Sequence, residues 1–105
     1  MVISLAGEWD IYRREELRNR LEPGYTEPRV VLDLTAAKYV TSTLICALVV
    51  MQKRREEDRL PRAALAVKSA FVRRLLTATG LDGLFPIFET VEEAGAPLEA
   101  PASSS

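Results

Sequence analysis

Residues 29–34, Arg-Val-Val-Leu-Asp-Leu, form a compact run of valine and leucine. Such a run suits a strand buried on both faces, and a strand of that kind belongs to a parallel sheet covered by helices. The chain on either side fits that frame. Residues 2–7 (Val-Ile-Ser-Leu-Ala-Gly) are β-branched and aliphatic and end in Gly7, which predicts a first strand. Residues 13–23 carry Leu17 and Leu21 on one face with charges elsewhere, an amphipathic helix stopped near Pro23 and Gly24. After Pro61, residues 62–68 predict a short strand. Residues 69–80 follow as a helix with Ser69 as N-cap and Gly80 as its stop. Residues 86–90 predict a last short strand and 91–97 at most a weak helix. The domain is drawn at 1–95, and the small, polar, proline-bearing segment 96–105 is expected to be a disordered tail.

The central stretch, Ala-Lys-Tyr-Val-Thr-Ser-Thr-Leu-Ile-Cys-Ala-Leu-Val-Val at residues 37–50, sets three hydroxyl residues ahead of an apolar run. Residues 44–51 alone fit a strand or a helix. The charged continuation from Gln52 to Arg59 decides for a helix over about 42–58 that starts buried and emerges into solvent. Its charged run, residues 53–59, alternates in sign and reads as a solvated face with i, i+4 pairs. Cys46 is expected to be a small buried hydrophobe. Phe71 with Leu75, and Val72 with Leu76, read as core stripes at helical spacing. Leu81, Leu84 and Phe85 fit either a hydrophobic corner or an exposed apolar lip.

Strand and helix thus alternate four times. This is the signature of an α/β fold, with a four- to five-stranded, mostly parallel sheet and about four helices. Parallel sheets concentrate function at the carboxyl ends of their strands. Thr41, Ser42 and Thr43 stand there, between the most apolar strand and the most buried helix. Ser42 is expected to cap that helix, and the same position would display a hydroxyl for modification.

Composition removes most catalytic chemistry. The 105 residues suffice for one domain that buries roughly 65% of its unfolded surface without a staple. With no histidine, neither a Ser-His-Asp arrangement nor a His-containing metal site can be built. The five glycines are scattered, so no phosphate loop or dinucleotide fingerprint is present, and no cofactor or metal is expected. One cysteine excludes a disulfide within the chain. Fourteen basic and fifteen acidic residues are intermixed, which gives no footprint for nucleic acid. Neither a signal pattern nor an apolar stretch long enough to span a bilayer is present, so a soluble cytoplasmic protein without membrane insertion is expected. Carboxylates at Glu8, Asp10 and Asp33 are the one set able to converge at the sheet's end, as a small enzyme or ligand-binding domain would require. Ordinary loop and cap residues are the simpler reading, and an enzyme is not expected.

Three motifs carry a family resemblance. Residues 5–10 (Leu-Ala-Gly-Glu-Trp-Asp) resemble the Gly-Glu-Leu-Asp turn of the STAS domain, the fold of the bacterial anti-sigma factor antagonists. Residues 29–48 are similar to that family's central segment, where a buried strand leads into Asp-Ser-Ser/Thr-Gly-Leu-Gly. Residues 71–94 resemble its carboxyl-terminal pattern of helix, Thr-Gly-Leu, Phe-Pro, strand and Glu-Glu-Ala. The match covers roughly residues 3–95 in the right order. It implies partner switching: an unmodified antagonist binds an anti-sigma factor of the histidine-kinase-like ATPase type, which then phosphorylates it and lets go. The resemblance sets Ser42 on the phosphoacceptor and Thr43 on its neighbour. Glu8, Trp9, Asp10, Thr41 and Leu44 become the partner-binding surround.

The departures from that pattern are specific. Thr41 stands where the family has aspartate, Leu44 and Cys46 where it has glycines, and Trp9 where it has leucine. Trp9 is either packed on the first helix or an exposed anchor for a partner. The family also has a further strand before the one ending in Gly-Glu, so either the true start lies upstream or the sheet is one strand short. A short sheet would leave an unpaired edge, and homodimerisation through that edge is an expectation. Two alternatives stay open: a phosphorylation-independent STAS subunit of a larger signalling or lipid-transport assembly, and the carboxylate-based ligand-binding domain or enzyme.

Overall fold

The computed structural model describes residues 1–99, and its frame is one sheet of four strands. They are β1 (Val2–Ser4), β2 (Val31–Asp33), β3 (Ala64–Ala66) and β4 (Ile87–Phe88), paired in parallel in the order β1-β2-β3-β4. The helices between and after them are α1 (Arg14–Leu21), α2 (Ser42–Glu57), α3 (Ala70–Ala78) and α4 (Val91–Glu99). The expected α/β architecture is present, with four strands and four helices. The regular strands are shorter than the runs expected, yet the hydrogen bonding continues past them. Leu5 N–H donates to Asp33 at 2.9 Å, Leu34 N–H to Ala66 at 2.8 Å and Val67 N–H to Phe88 at 2.7 Å. Helix α4 reaches Glu99, past the boundary drawn at residue 95, and residues 100–105 of the expected tail lie outside the described residues.

Strand alternation divides the apolar residues between two faces. Ile3, Leu32 and Leu65 join Leu17, Leu21, Leu44, Leu48, Val72 and Leu76 in the main core, so α1, α2 and α3 cover one face. Val31, Ala64 and Ala66 point the other way and form a small cluster with Ala94 of α4. Connections on one face are what right-handed crossovers require when each strand is laid beside the previous one in one direction. At the end of α3 the chain reverses at Gly80, whose φ of 79° is left-handed backbone that glycine adopts without a Cβ penalty. Ser69 caps α3 as expected, its hydroxyl accepting from Val72 N–H at 3.3 Å.

Helix α2 departs from its sequence reading in two places. Its buried stripe is Leu44, Leu48, Met51, Gln52 and Arg55. Cys46 is exposed rather than buried, because two positions from Leu44 is a rotation of about 200° around a helix of 3.6 residues per turn. Arg55, read as part of a solvated face, is 0% exposed. Its guanidinium donates to the carbonyls of Gly24 (2.7 Å), Glu27 (2.6 Å) and Pro28 (3.1 Å) on one side, and twice to Pro61 on the other (3.2 and 2.8 Å). Among the described residues no carboxylate pairs with it; burial lowers the Arg55 pKa from the ordinary arginine value. Five donors in a rigid fork thus tie the loop entering β2 to the loop entering β3. Beside it Gln52 accepts from Ala63 N–H at 3.1 Å and donates to Leu84 O at 2.7 Å.

Phe71 is also a correction: it is 52% exposed, and the core stripe of α3 is Val72 with Leu76. Leu81 and Phe85 are buried and Leu84 half-buried, which makes that segment a hydrophobic corner and not a lip.

Candidate functional site

The site lies where β1 and β2 end and α2 begins. After β1 the chain turns through Gly7, with φ at 82°, and makes an isolated parallel bridge to Ala37. Gly7 N–H donates to Ala36 at 3.0 Å, and Lys38 N–H returns to Gly7 at 3.1 Å. These bonds press the acidic turn, Glu8 to Asp10, against the segment that leads into α2. On the β2 side Asp33 closes its own turn, accepting from Thr35 N–H at 3.0 Å and from its hydroxyl at 2.6 Å.

Thr41, and not Ser42, caps α2. Its hydroxyl oxygen accepts from Leu44 N–H at 3.1 Å and its hydrogen goes to the carbonyl of Trp9. The capping role expected of Ser42 is therefore corrected: residue 41 has the extended backbone of an N-cap, φ −89° and ψ 162°, and Ser42 is the first helical residue. Ser42 is exposed and Thr43 half-buried. Where the family has an aspartate before the acceptor, this chain has a hydroxyl that caps α2 while also donating to the neighbouring loop.

Two expected contact residues turn inward. Trp9 is 1% exposed, and Leu44 is 0% exposed at the head of the core stripe. Neither side chain is offered to a partner, so both are corrected from partner contacts to core residues. Trp9 packs under α1: the Arg13 guanidinium lies 3.8 Å from its ring centroid and that of Arg20 5.7 Å. Arg13 is held there by Glu16 at 3.1 Å and by the Glu8 carbonyl at 2.8 Å. The hydrogen bond from Arg13 lowers the Glu16 pKa and raises that of Arg13. The Trp9 indole N–H is buried without an acceptor among the described residues.

Glu8 and Asp10 remain exposed at the surface beside the start of α2. Asp10 is engaged locally, capping a 3-10 turn at Ile11–Arg13 by accepting from Tyr12 N–H at 3.0 Å. The convergence of Glu8, Asp10 and Asp33 into a reactive set finds no support in this geometry. Asp10 and Asp33 each serve a turn, and among the described residues no group of three His, Cys, Asp or Glu is placed to hold a metal ion.

Several exposed apolar residues escaped the sequence reading. Ile11 (64%) and Tyr12 (93%) stand on the α1 side of the site. Tyr39 and Phe71, both about half exposed, form a tilted aromatic pair at 6.1 Å in front of α2 and α3. The signal for the first was an Ile-Tyr pair directly after an acidic turn; for the second, only tertiary packing brings the two rings together. A groove of about 530 Å³ separates α1 from α2, with Ser42, Thr43 and Cys46 on its α2 wall. No helix among the described residues is long and apolar enough to cross a membrane.

The site is thus an exposed Ser42 at the first turn of α2, at the carboxyl end of an all-parallel sheet. The chain belongs to the STAS domain family: a family model described as "Mlab, STAS domain" matches residues 1–88. Solved structures of anti-sigma factor antagonists share the fold. The antagonist from Mycobacterium paratuberculosis is 23% identical with a TM-score of 0.79, over 94% of this chain and 85% of that one. An anti-sigma-factor antagonist (STAS) domain protein from Planctomyces limnophilus is 23% identical with a TM-score of 0.70, over 94% and 90%. The anti-sigma factor antagonist SpoIIAA in its unphosphorylated form is 21% identical with a TM-score of 0.74, over 92% and 85%.

Proposed function

We propose that this protein is an anti-sigma factor antagonist-like binding module. It binds an anti-sigma factor of the histidine-kinase-like ATPase type and is released by phosphorylation of Ser42, with Thr43 as the secondary acceptor. One observation carries the reading: Ser42 is exposed at the first turn of α2 and relieved of capping by Thr41. Its hydroxyl is free for chemistry without loss of the helix start. In the transfer, the Ser42 oxygen bonds the γ-phosphorus of ATP, the bond to the bridging oxygen breaks, ADP leaves and the hydroxyl proton passes to a base on the kinase.

The modified domain stays folded, because free N–H groups and the dipole at a helix start favour the added anion by about 0.3–1 kcal/mol. The new charge of about −1.5 to −2 acts on whatever is packed over Ser42. Exposed Ile11, Tyr12, Tyr39 and Phe71 supply the apolar surface such a partner would cover.

A second reading is a STAS subunit that works without phosphorylation in a larger signalling or lipid-transport assembly. Thr41 favours it, since the family's aspartate is absent and its replacement is occupied with the cap and with Trp9. Peptide mass spectrometry of the protein isolated from its native cells, beside Ser42→Ala and Thr43→Ala, separates the two. One phosphate on residue 42 or 43, lost in the matching variant, supports the switch. No phosphate under any growth condition, with partner binding intact in both variants, removes it and leaves the constitutive subunit.

A further inference from the structure

The groove between α1 and α2 has a composition that a solvent-facing surface does not need. On α2, Ser42, Cys46 and Val50 are spaced four apart and so share one face. All three are exposed, Val50 at 57%, on the side of the helix opposite the core stripe, where a polar face is normal. Across the groove Ile11 and Tyr25 add further apolar wall. Among the described residues, the only charged ones lining it are Arg14 and Arg18, also four apart on α1, and no carboxylate lines it. That asymmetry is local, since the whole chain has 14 basic and 15 acidic residues. Arg18 makes a 4.0 Å pair with Glu15 in which both side chains are 80% exposed, a contact that a partner's carboxylate exchanges at little cost.

We propose that this groove receives an acidic amphipathic helix of the protein partner. The apolar stripe of that helix lies along Cys46 and Val50, and its carboxylates face Arg14 and Arg18. The proposal rests on the reading of this chain as a binding module given above. From Ser42 to Val50 the wall runs about 12 Å at about 1.5 Å per residue, enough for two turns of a docked helix with anchors at i, i+4 and i+7. Two guanidinium groups flanking an apolar floor suit a short charged stripe; a nucleic-acid backbone needs a longer basic track. Ser42 heads the same groove. A phosphate there sets a dianion against the partner's carboxylates and competes for the same two arginines, so modification expels the helix by charge and leaves the domain's shape alone.

Cys46, the one thiol of the chain, lies in the groove and reports its occupancy. The rate of Cys46 alkylation is measured on the full-length protein with two synthetic helical peptides that share one leucine stripe. One carries a glutamate face and the other a lysine face. The glutamate peptide should slow alkylation about threefold or more by covering the thiol, and the lysine peptide should leave it unchanged. Arg14→Glu combined with Arg18→Glu should reverse the preference; both side chains are exposed, and Trp9 emission verifies that the variant is folded. Ser42→Asp should weaken the protection. Equal protection by both peptides, or by neither, overturns the proposal. So does protection by phosphatidylglycerol vesicles without peptide, which would make the groove a lipid surface. Phosphate on Ser42 in native cells without peptide protection removes the groove and keeps the switch; protection without phosphate does the reverse.

Discussion

The hydroxyl of Thr41 donates to the carbonyl of Trp9, 32 positions earlier in the chain, while its oxygen caps α2 through Leu44 N–H. One side chain therefore fixes both the start of the helix and the turn that follows β1. Thr41→Ala removes a cap worth about 1 kcal/mol and a hydrogen bond worth about the same, for a predicted loss near 2 kcal/mol in urea unfolding. Thr41→Ser keeps both bonds and should recover most of that. Thr41→Asp, which restores the family's residue, retains the cap but sets a carboxylate against the Trp9 carbonyl. Its Trp9 emission should shift while helix ellipticity holds. An unchanged emission spectrum would show that the tether does not position the turn.

The clamp on Trp9 predicts an acid transition. Because Arg13 lowers the Glu16 pKa, the folded protein binds this proton less readily than the unfolded chain. The stabilisation is complete above the ordinary glutamate pKa of about 4.3 and is lost as pH falls through the lowered value. Glu16 is solvent-exposed, so the effect on stability is small. The optical signal is the better readout, since Trp9 is the single tryptophan. Its emission should change below about pH 4 in the parent protein, and Glu16→Gln should lack that step. Superimposable titrations would mean that Arg13 stays on the ring without its carboxylate.

Arg55 predicts the largest single loss. Arg55→Met keeps the volume but leaves the carbonyls of Gly24, Glu27, Pro28 and Pro61 without their donor. The bond to Gly24 is buried and the others are part-buried. A buried acceptor left unpaired costs about 1–3 kcal/mol and a part-buried one less, so a total of about 3 kcal/mol is expected. Arg55→Lys should rescue little, since one ammonium group cannot reach both loops. Urea midpoints within experimental error of the parent for Arg55→Met would refute this account.

Cys46 should behave as a surface thiol. The native protein should react fully with a thiol reagent without denaturant, and Cys46→Ser should change stability by no more than about 0.5 kcal/mol. Thiol protection that vanishes only on unfolding would return the residue to the core.

Sequence periodicity was the more reliable guide where it was followed to its end. The alternation of strands and helices, the cap at Ser69 and the stop at Gly80 all follow from local rules that tertiary structure did not override. The misreadings at residues 46 and 55 came from weighing residue type above helical phase. The stripe Leu44, Leu48 and Met51 continues to position 55 at the same spacing, so the burial of Arg55 was legible, but a charge in a charged run outweighed it. Position 46 lies off that stripe in the same way. At the site, Ser42 is exposed, as a displayed hydroxyl requires, and the capping rule set the N-cap one residue too late, at Ser42 instead of Thr41. The inward turn of Trp9 and the pairing of Tyr39 with Phe71 depend on contacts between distant elements, which no local pattern encodes.

The two faces of the sheet are unequal in a way that bears on how the molecule opens. Among the described residues, the face toward α1, α2 and α3 joins twenty buried residues, whereas the face toward α4 joins Val31, Ala64 and Ala66 with Ala94 of the helix itself, and Phe88 and Val91 pack against them. The side chains of β2 and β3 beneath the first turns of α4 are small, so α4 should detach at a free energy below that of global unfolding. Backbone amides in its first turns should then exchange with solvent far sooner than those of β2 or α2. The Ser42 end of the sheet, belonging to the larger cooperative unit, would keep its shape while the opposite face breathes.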